Sequence, residues 1–199
     1  MKDLSHSTIL ITGVLGQVGH ELVRTLGNLG PKLVLGCRDV NARHHLNHLS
    51  IAFDLSNEQN IRTAIQTFQP DIIINPAAYT AVDKAEMESE VAYRVNQKAV
   101  KIMAEELKKL NGSMIHFSTD YVYSSHHDKP NLETDEPTPI NVYGASKLAG
   151  ELELCQSGIP YIILRTSWVY GINGNNFVKT MLNLGREKDS LKVVDDQIG

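Results

Sequence analysis

Short apolar runs alternate with stretches of helical periodicity along the whole chain. TILIT leads into QVGHELVRTLGNL, KLVLG follows, SIAFDL leads into NEQNIRTAIQTF, and DIIINPAA opens a helical stretch from about Lys84 to Leu110. SMIHFST comes next, then a polar loop, SSHHDKPNLETDEPTPIN, then a helix carrying NVYGASKLAGE. The rhythm closes with YIILRTSWVY, a helix from about Asn176 to Arg186, and LKVVD. Runs that are β-rich, apolar throughout and separated by helices describe a parallel sheet covered on both faces. The expected fold is therefore α/β, a doubly wound parallel sheet of Rossmann-like type. The pattern contains no internal repeat, and the His-, Pro- and acid-rich loop is the only long irregular stretch.

Length and composition narrow this further. At 199 residues and 42% hydrophobic, the chain is expected to form one domain over residues 1–199. No apolar run has the length of a bilayer span, and MKDLSHST lacks the basic flank and apolar stretch of a secretory signal, so a cytoplasmic protein without a membrane partner is expected. The net charge of −4 is interspersed, which offers no basic stripe for nucleic acid. Two cysteines, Cys37 at a strand end and Cys155 at a helix end, imply no disulfide framework and read as half-buried inert thiols. Small-molecule chemistry is favoured, and a homodimer stays open.

The first strand runs directly into Gly13, Gly16 and Gly19 and then a helix. Glycines there permit a tight turn and close backbone approach to a pyrophosphate, whose charge meets the N–H groups of the helix N-terminus. The spacing is G-x-x-G-x-x-G. The second strand ends at Arg38 and Asp39, where the ribose of an adenosine half is read about 20 residues beyond such a turn. Arg38 could clamp a 2′-phosphate and Asp39 could accept from a 2′-hydroxyl; Arg38 stands nearer the strand end, which favours NADPH over NADH. Asp54 and Leu55 after the third strand suit the adenine, and Ala77, Ala78 and Tyr79 suit the ribose and nicotinamide side.

Tyr143 and Lys147 stand four residues apart, so a helix places them on one face. A lysine ammonium beside a phenol favours phenolate and is expected to lower its pKa from the usual value near ~10. Ligands of open α/β sheets sit beyond the carboxyl ends of the strands, where HFSTDYVY places Ser118, Thr119, Asp120 and Tyr121. There Thr119 can hydrogen-bond a substrate carbonyl, Tyr143 can deliver a proton, and Lys147 can hold the cofactor ribose while stabilising phenolate. The plain alternative for Thr119 is a cap at the strand end. His44 and His48 would share a helical face beside His45, and His126-His127 lie in the loop. No carboxylate or cysteine is placed to complete a zinc site, and no metal is expected.

ITGVLGQVG, NPAAYTAVDKAE, FSTDYVY, NVYGASKLAGE, RTSWVYG, NNFVKTML and VVDDQIG together resemble the dTDP-4-dehydrorhamnose reductases, within the extended short-chain dehydrogenase/reductase group. The resemblance runs nearly end to end. It implies NAD(P)H-dependent reduction of the C4 ketone of dTDP-4-dehydro-L-rhamnose to dTDP-L-rhamnose, a step toward cell-surface polysaccharide. It implies that Gly16, Gln17 and Val18 hold the pyrophosphate, that Asp54 and Leu55 lie on the adenine side, and that Ala77, Ala78 and Tyr79 line the inner cofactor. Tyr143 would donate the proton, Thr119 and Asp120 would contact the sugar, and Trp168 would wall the sugar pocket. In that family a sizeable C-terminal portion follows VVDDQIG, so an incomplete substrate domain is expected here. TDY, rather than the Thr-Asp-Glu of the 4,6-dehydratases, disfavours dehydration, since a phenol at position 121 cannot readily abstract a carbon-bound proton. A nucleotide-sugar epimerase, an inactive fragment, and a non-catalytic NAD(P)-binding subunit like the regulatory partner of methionine adenosyltransferase are the other readings.

Overall fold

The computed structural model describes residues 4–41, 48–123 and 130–193. Six strands form one parallel sheet: β1 (Thr8–Thr12), β2 (Lys32–Cys37), β3 (Leu49–Ala52), β4 (Ile72–Asn75), β5 (Ser113–Thr119) and β6 (Tyr161–Thr166), in spatial order β3-β2-β1-β4-β5-β6. The order reverses between β1 and β4, so the switch point of this doubly wound sheet lies beside the turn that follows β1.

The helices are α1 (Gln17–Leu26), α2 (Glu58–Phe68), α3 (Val82–Ala85), α4 (Ser89–Tyr93), α5 (Ala99–Leu110), α6 (Val142–Gln156) and α7 (Phe177–Glu187). One apolar layer packs Ile9, Ile11, Leu33, Leu35 and Ile74 of the sheet with Val23 of α1. The other packs Leu10, Val34, Ile73 and Met114 with Ile61 and Ile65 of α2, Ile102, Met103 and Leu107 of α5, and Leu154 of α6. Alternate strand residues thus feed opposite layers, as the period of two requires. No helix among the described residues is long and apolar enough to cross a membrane.

Local chemistry sets the helix ends. Asn57, Asn141 and Asn176 cap α2, α6 and α7, each accepting from a backbone N–H of the first turn. Gln69 and Asn111 close α2 and α5 in the left-handed region. Arg62 of α2 meets Glu105 at 2.7 Å and the buried Glu106 at 2.6 Å, both on α5, and so clamps the two helices together.

The expected helical stretch from about Lys84 to Leu110 is interrupted once. α3 ends at Ala85, α4 starts again at Ser89, and a π-helical turn, Arg94–Lys98, joins α4 to α5. The polar EMESE sequence supplies no apolar stripe to carry a helix across the break. Both thiols also depart from the half-buried expectation, since Cys37 is buried and Cys155 is exposed.

The π turn has a packing partner. A Cβ on Gly150 of α6 would stand 2.1 Å from the carbonyl oxygen of Asn96. Glycine at 150 is what lets α6 lie against the bulged carbonyl. Gly150→Ala is therefore expected to destabilise the fold by about 2–3 kcal/mol, the cost of overpacking a tight contact. The urea midpoint measures this, and an unchanged midpoint would show that the contact yields freely.

Candidate active site

The site is built at the carboxyl ends of β1, β4 and β5. After β1 the chain turns through Gly13, whose φ of +58° is left-handed. Gly19 is buried in the first turns of α1, and a Cβ there would fall 2.3 Å from the Gly13 carbonyl oxygen. The two glycines press α1 onto the turn. Gly16 occupies the N-cap of α1 with no side-chain cap bond, and the first turn carries no acidic residue. The amide end of α1 is thus dressed for an anion. A Cβ on Gly13 would approach the Ala77 Cβ at 2.9 Å, so Ala77 stands directly against the turn.

The other cofactor-side residues divide. Arg38 and Asp39 are both exposed beyond β2; Asp39 Oδ1 accepts from Asn41 N at 2.9 Å. The Asp54 carboxylate is engaged by Ser56, accepting from its N–H at 2.9 Å and its hydroxyl at 2.8 Å, while Leu55 is buried. Gln17 turns away from the phosphate side: its Oε1 accepts from Asn176 at 2.9 Å and its Nε2 reaches the Val169 carbonyl at 3.4 Å. A cavity of about 340 Å³ between α1 and Val169–Asn173 is lined by Gln17 and Val18 and touches neither Tyr143 nor Lys147. Tyr79 is held through its backbone, its N–H donating to Asn96 Oδ1 at 2.8 Å and its carbonyl accepting from Asn96 Nδ2 at 3.1 Å. Its hydroxyl donates to Glu88 at 2.6 Å.

Thr119, Tyr143 and Lys147 come together. α6 starts at Asn141, whose side chain caps Gly144 N at 2.7 Å, while Glu86 accepts from Val142 N at 2.8 Å. A Cβ on Gly144 would stand 2.1 Å from the Tyr121 carbonyl oxygen, so glycine lets the first turn of α6 sit on the segment after β5. The rings of Tyr121 and Tyr143 meet edge-on at 5.6 Å. Thr119 is buried, and its Oγ1 accepts from Tyr121 N at 3.2 Å as a cap and also bonds the Tyr143 phenol. Its hydroxyl lies 3.1 Å from Asp120 Oδ1.

The phenol does not follow the expected pKa. Burial pushes Tyr143 above its ordinary value, Thr119 pulls it down by hydrogen bonding, and Asp120 and Tyr121 push it up. Lys147 points past the ring instead, its Nζ donating to the Phe117 carbonyl at 2.6 Å and lying 3.3 Å from His116 Nε2. Its side chain is fully buried, and desolvation lowers its pKa to about 8 despite the favourable charge of Glu151.

Several residues that the sequence reading passed over hold this arrangement. Asn96 Nδ2 also donates to Ser146 Oγ at 2.9 Å, which fixes the π turn to α6. Arg165 of β6 grips Glu151 at 2.6 Å and lies over the Tyr123 ring at 4.8 Å. Behind Lys147, His116 Nδ1 lies 3.1 Å from Asn75 Nδ2, and Asn75 Oδ1 accepts from the Thr12 hydroxyl at 2.6 Å. Ser118 Oγ, buried on the same strand, is an orphaned polar atom among the described residues. The available signal was a histidine and two strand-end amides or hydroxyls inside otherwise apolar strands.

Trp168 lies after β6, half exposed and edge-on to Phe177 at 5.7 Å. Its φ of +50° is uncommon for so large a side chain and marks a strained position. His44, His45, His126 and His127 lie outside the described residues, as does nearly all of VVDDQIG; His48 is half-buried just before β3. No group of three or more His, Cys, Asp or Glu among the described residues is placed to hold a metal ion.

A 3-2-1-4-5-6 parallel sheet with a glycine turn after its first strand defines the Rossmann-like doubly wound α/β class. The sequence profile of the RmlD substrate binding domain matches residues 7–199, and the chain belongs to that family. A dTDP-4-dehydrorhamnose reductase of Escherichia coli K12 is 44% identical over 191 residues, 96% of this chain and 61% of that protein. The spore coat polysaccharide biosynthesis protein SpsK of Bacillus subtilis is 36% identical over 96% of this chain and 63% of its own length. A crystal structure of dTDP-4-dehydrorhamnose reductase from Bacillus anthracis in complex with NADP superposes with a TM-score of 0.84 at 36% identity, covering 96% of this chain and 64% of that one. The chain spans roughly three-fifths of the length of these relatives.

Burial of Lys147 makes a pH prediction. Its pKa is about 8 in the fold and 10.5 when exposed, so the unfolded chain binds more protons between those values and stability contributed at this site rises with pH there. The stability difference between the wild-type chain and Lys147→Met should shift toward wild type by on the order of 3 kcal/mol from about pH 8 to above 10.5. Paired denaturant titrations across that range measure it, and a pH-independent difference would contradict the buried ammonium.

Proposed function

We propose that the chain carries the cofactor and catalytic half of an NAD(P)H-dependent reductase that converts the C4 ketone of dTDP-4-dehydro-L-rhamnose to the alcohol of dTDP-L-rhamnose. The observation that carries this reading is the meeting of Thr119, Tyr143 and buried Lys147 at the carboxyl end of β5, beside the uncapped amide end of α1. Relatives named for this reductase, one of them bound to NADP, supply the substrate and cofactor class.

The residues present fit a dinucleotide. The turn at Gly13, Gly16 and Gly19 with the backbone of Gln17 and Val18 would hold the pyrophosphate, with no side chain between it and the α1 amides. Arg38 would read the 2′-phosphate of NADPH, with Asp39 the partner of a 2′-hydroxyl if NADH binds. Asp54 and Leu55 would border the adenine, Asp54 through its backbone since Ser56 takes its carboxylate. Ala77, Ala78 and Tyr79 would line the inner ribose. The nicotinamide, when bound, supplies the hydride.

The chain's own groups handle the proton. Tyr143 donates from its phenol to the ketone oxygen, and its raised pKa keeps it protonated until that moment. Thr119 orients the same oxygen through its hydroxyl. Lys147, one helical turn on with its amine toward the sheet, would hold the cofactor ribose and through it support the phenolate left behind. Asp120 and Trp168 flank the sugar, the first through its carboxylate and the second as an exposed apolar wall. The soluble nucleotide sugar is the partner, and none of this chemistry requires nucleic acid or a membrane.

The direct test mixes the chain with NADPH and enzymatically made dTDP-4-dehydro-L-rhamnose and follows loss of reduced nicotinamide absorbance. Turnover is expected, and Tyr143→Phe should lower it by at least about a hundredfold, the usual worth of a positioned general acid, with cofactor affinity unchanged. Cofactor binding without turnover in the unsubstituted chain would favour a binding subunit. For cofactor choice, Arg38→Ala should weaken NADPH about tenfold and leave NADH nearly unchanged, as loss of one charge-assisted contact predicts. Equal losses in a fluorescence titration would remove Arg38 from the phosphate.

A further inference from the structure

Beneath Lys147 runs a buried polar file that the mechanism above does not use. The Thr12 hydroxyl donates to Asn75 Oδ1 at 2.6 Å, Asn75 Nδ2 lies 3.1 Å from His116 Nδ1, and His116 Nε2 lies 3.3 Å from Lys147 Nζ. It crosses three neighbouring strands, from the end of β1 through β4 to β5, and all four side chains are almost wholly buried. His116 shares its face of β5 with Met114, where an apolar residue would pack without any polar cost.

We propose that His116 is a positioning residue for Lys147: backed by Asn75 and Thr12, the imidazole holds the amine under α6 and reverses its own hydrogen-bonding sense when Lys147 gains or loses a proton. The proposal rests on the reading of Lys147 as the cation beside Tyr143.

The donor inventory forces two arrangements. An ammonium has only donors to offer. The Phe117 carbonyl takes one, and His116 Nε2 takes a second provided the imidazole keeps its proton on Nδ1 and Asn75 turns its oxygen toward it. A neutral amine offers a lone pair instead. Nε2–H then donates to Lys147, and Asn75 presents its amide to Nδ1 while its oxygen accepts from Thr12, the sense drawn above. In either sense each contact of the file pairs one donor with one acceptor, the Thr12 oxygen accepting from Asn75 in the first as it does from Ala77 N at 3.3 Å, and such pairing is what lets a buried network be tolerated. A cationic imidazole would set donor against donor. Burial, and then the nearby Lys147 charge, hold His116 well below the ordinary imidazole range.

The charged and titratable groups around Lys147 are few. Glu151, one turn further along α6, is itself held by Arg165 of β6 at 2.6 Å. Tyr143 lies one turn back and Asp120 acts on Tyr143, while the π turn and β4 bring the neutral amides of Asn96 and Asn75. Among these, His116 is the titratable side chain within hydrogen-bond distance of the amine.

The test is imidazole nitrogen NMR of the labelled chain from about pH 6 to about pH 10, the range that brackets ordinary histidine and buried lysine titration. One imidazole, absent from the spectrum of His116→Gln, should stay neutral throughout. Its Nδ1 and Nε2 resonances should exchange character in one step near pH 8, where Lys147 ionises, and that step should vanish in Lys147→Met. An imidazole that becomes cationic near neutral pH, a flat response in the wild-type chain, or a step that survives Lys147→Met would overturn the proposal. In the reductase assay, His116→Leu should move the alkaline limb of the pH–rate profile down by about one unit, and His116→Gln, which restores an acceptor, should return it. Equal, pH-independent losses in both variants would mark His116 as merely structural and overturn the positioning role. Failure of the catalytic reading is distinguishable, because Tyr143→Phe would then keep turning over while the NMR step persisted.

Discussion

The structure turns on one buried amine. Lys147 enters the protein from α6 and ends against the Phe117 carbonyl of β5, so the helix that carries the phenol is tied by its own lysine to the strand that carries Thr119. Desolvation makes this contact demanding: an ammonium without partners would not remain charged at this depth, and the carbonyl and the imidazole are what make the position tenable. Two glycines make the approach geometrically available. Gly144 lets the helix start on the Tyr121 carbonyl and Gly150 lets its middle lie on Asn96. The placement of Tyr143 follows from these contacts, and its elevated pKa follows from the same burial.

The π turn belongs to this constraint. Asn96, inside it, spends its side chain on both backbone groups of Tyr79 and on Ser146. It therefore joins the loop after β4, which the cofactor reading assigns to the inner ribose, to the helix bearing Tyr143. Single-turn π bulges recur at functional sites because they aim a side chain that regular helix would turn away. At the opposite edge, Arg165 and Glu151 pin α6 to β6 and hold Tyr123, whose hydroxyl donates to the Leu132 carbonyl at 3.0 Å. The helix is fixed on three sides before any ligand is considered.

Much of this architecture was legible in the order of residues. TILIT, KLVLG and DIIIN are apolar on both faces because both faces are covered, and the glycine turn announced itself by position between a strand and a helix. The Tyr143–Lys147 spacing and Thr119 at a strand end pointed to the carboxyl end of β5, where Thr119 bonds the Tyr143 phenol. What stayed hidden depends on contacts between distant segments. The π turn inside the stretch from Lys84 to Leu110 lies against Gly150, more than fifty positions later, and helical periodicity cannot register a partner. His116, Asn75 and Thr12 looked like isolated polar residues in three different strands, and only the strand order β1-β4-β5 puts them in line. The direction of the Tyr143 shift was misjudged for a related reason. Spacing places the lysine near the ring, but burial outweighs it and the amine points to the sheet instead.

On the proposed function, the glycine turn and the Lys147-anchored helix are two ends of one dinucleotide site. A crystal structure of the chain with NADPH tests it most directly. Pyrophosphate oxygens are expected on the backbone of Gly13–Gly19, and a ribose hydroxyl within hydrogen-bond distance of both the Tyr143 phenol and Lys147 Nζ. A dinucleotide bound elsewhere, such as in the cavity between α1 and Val169–Asn173, or one whose inner ribose misses Lys147, would contradict it.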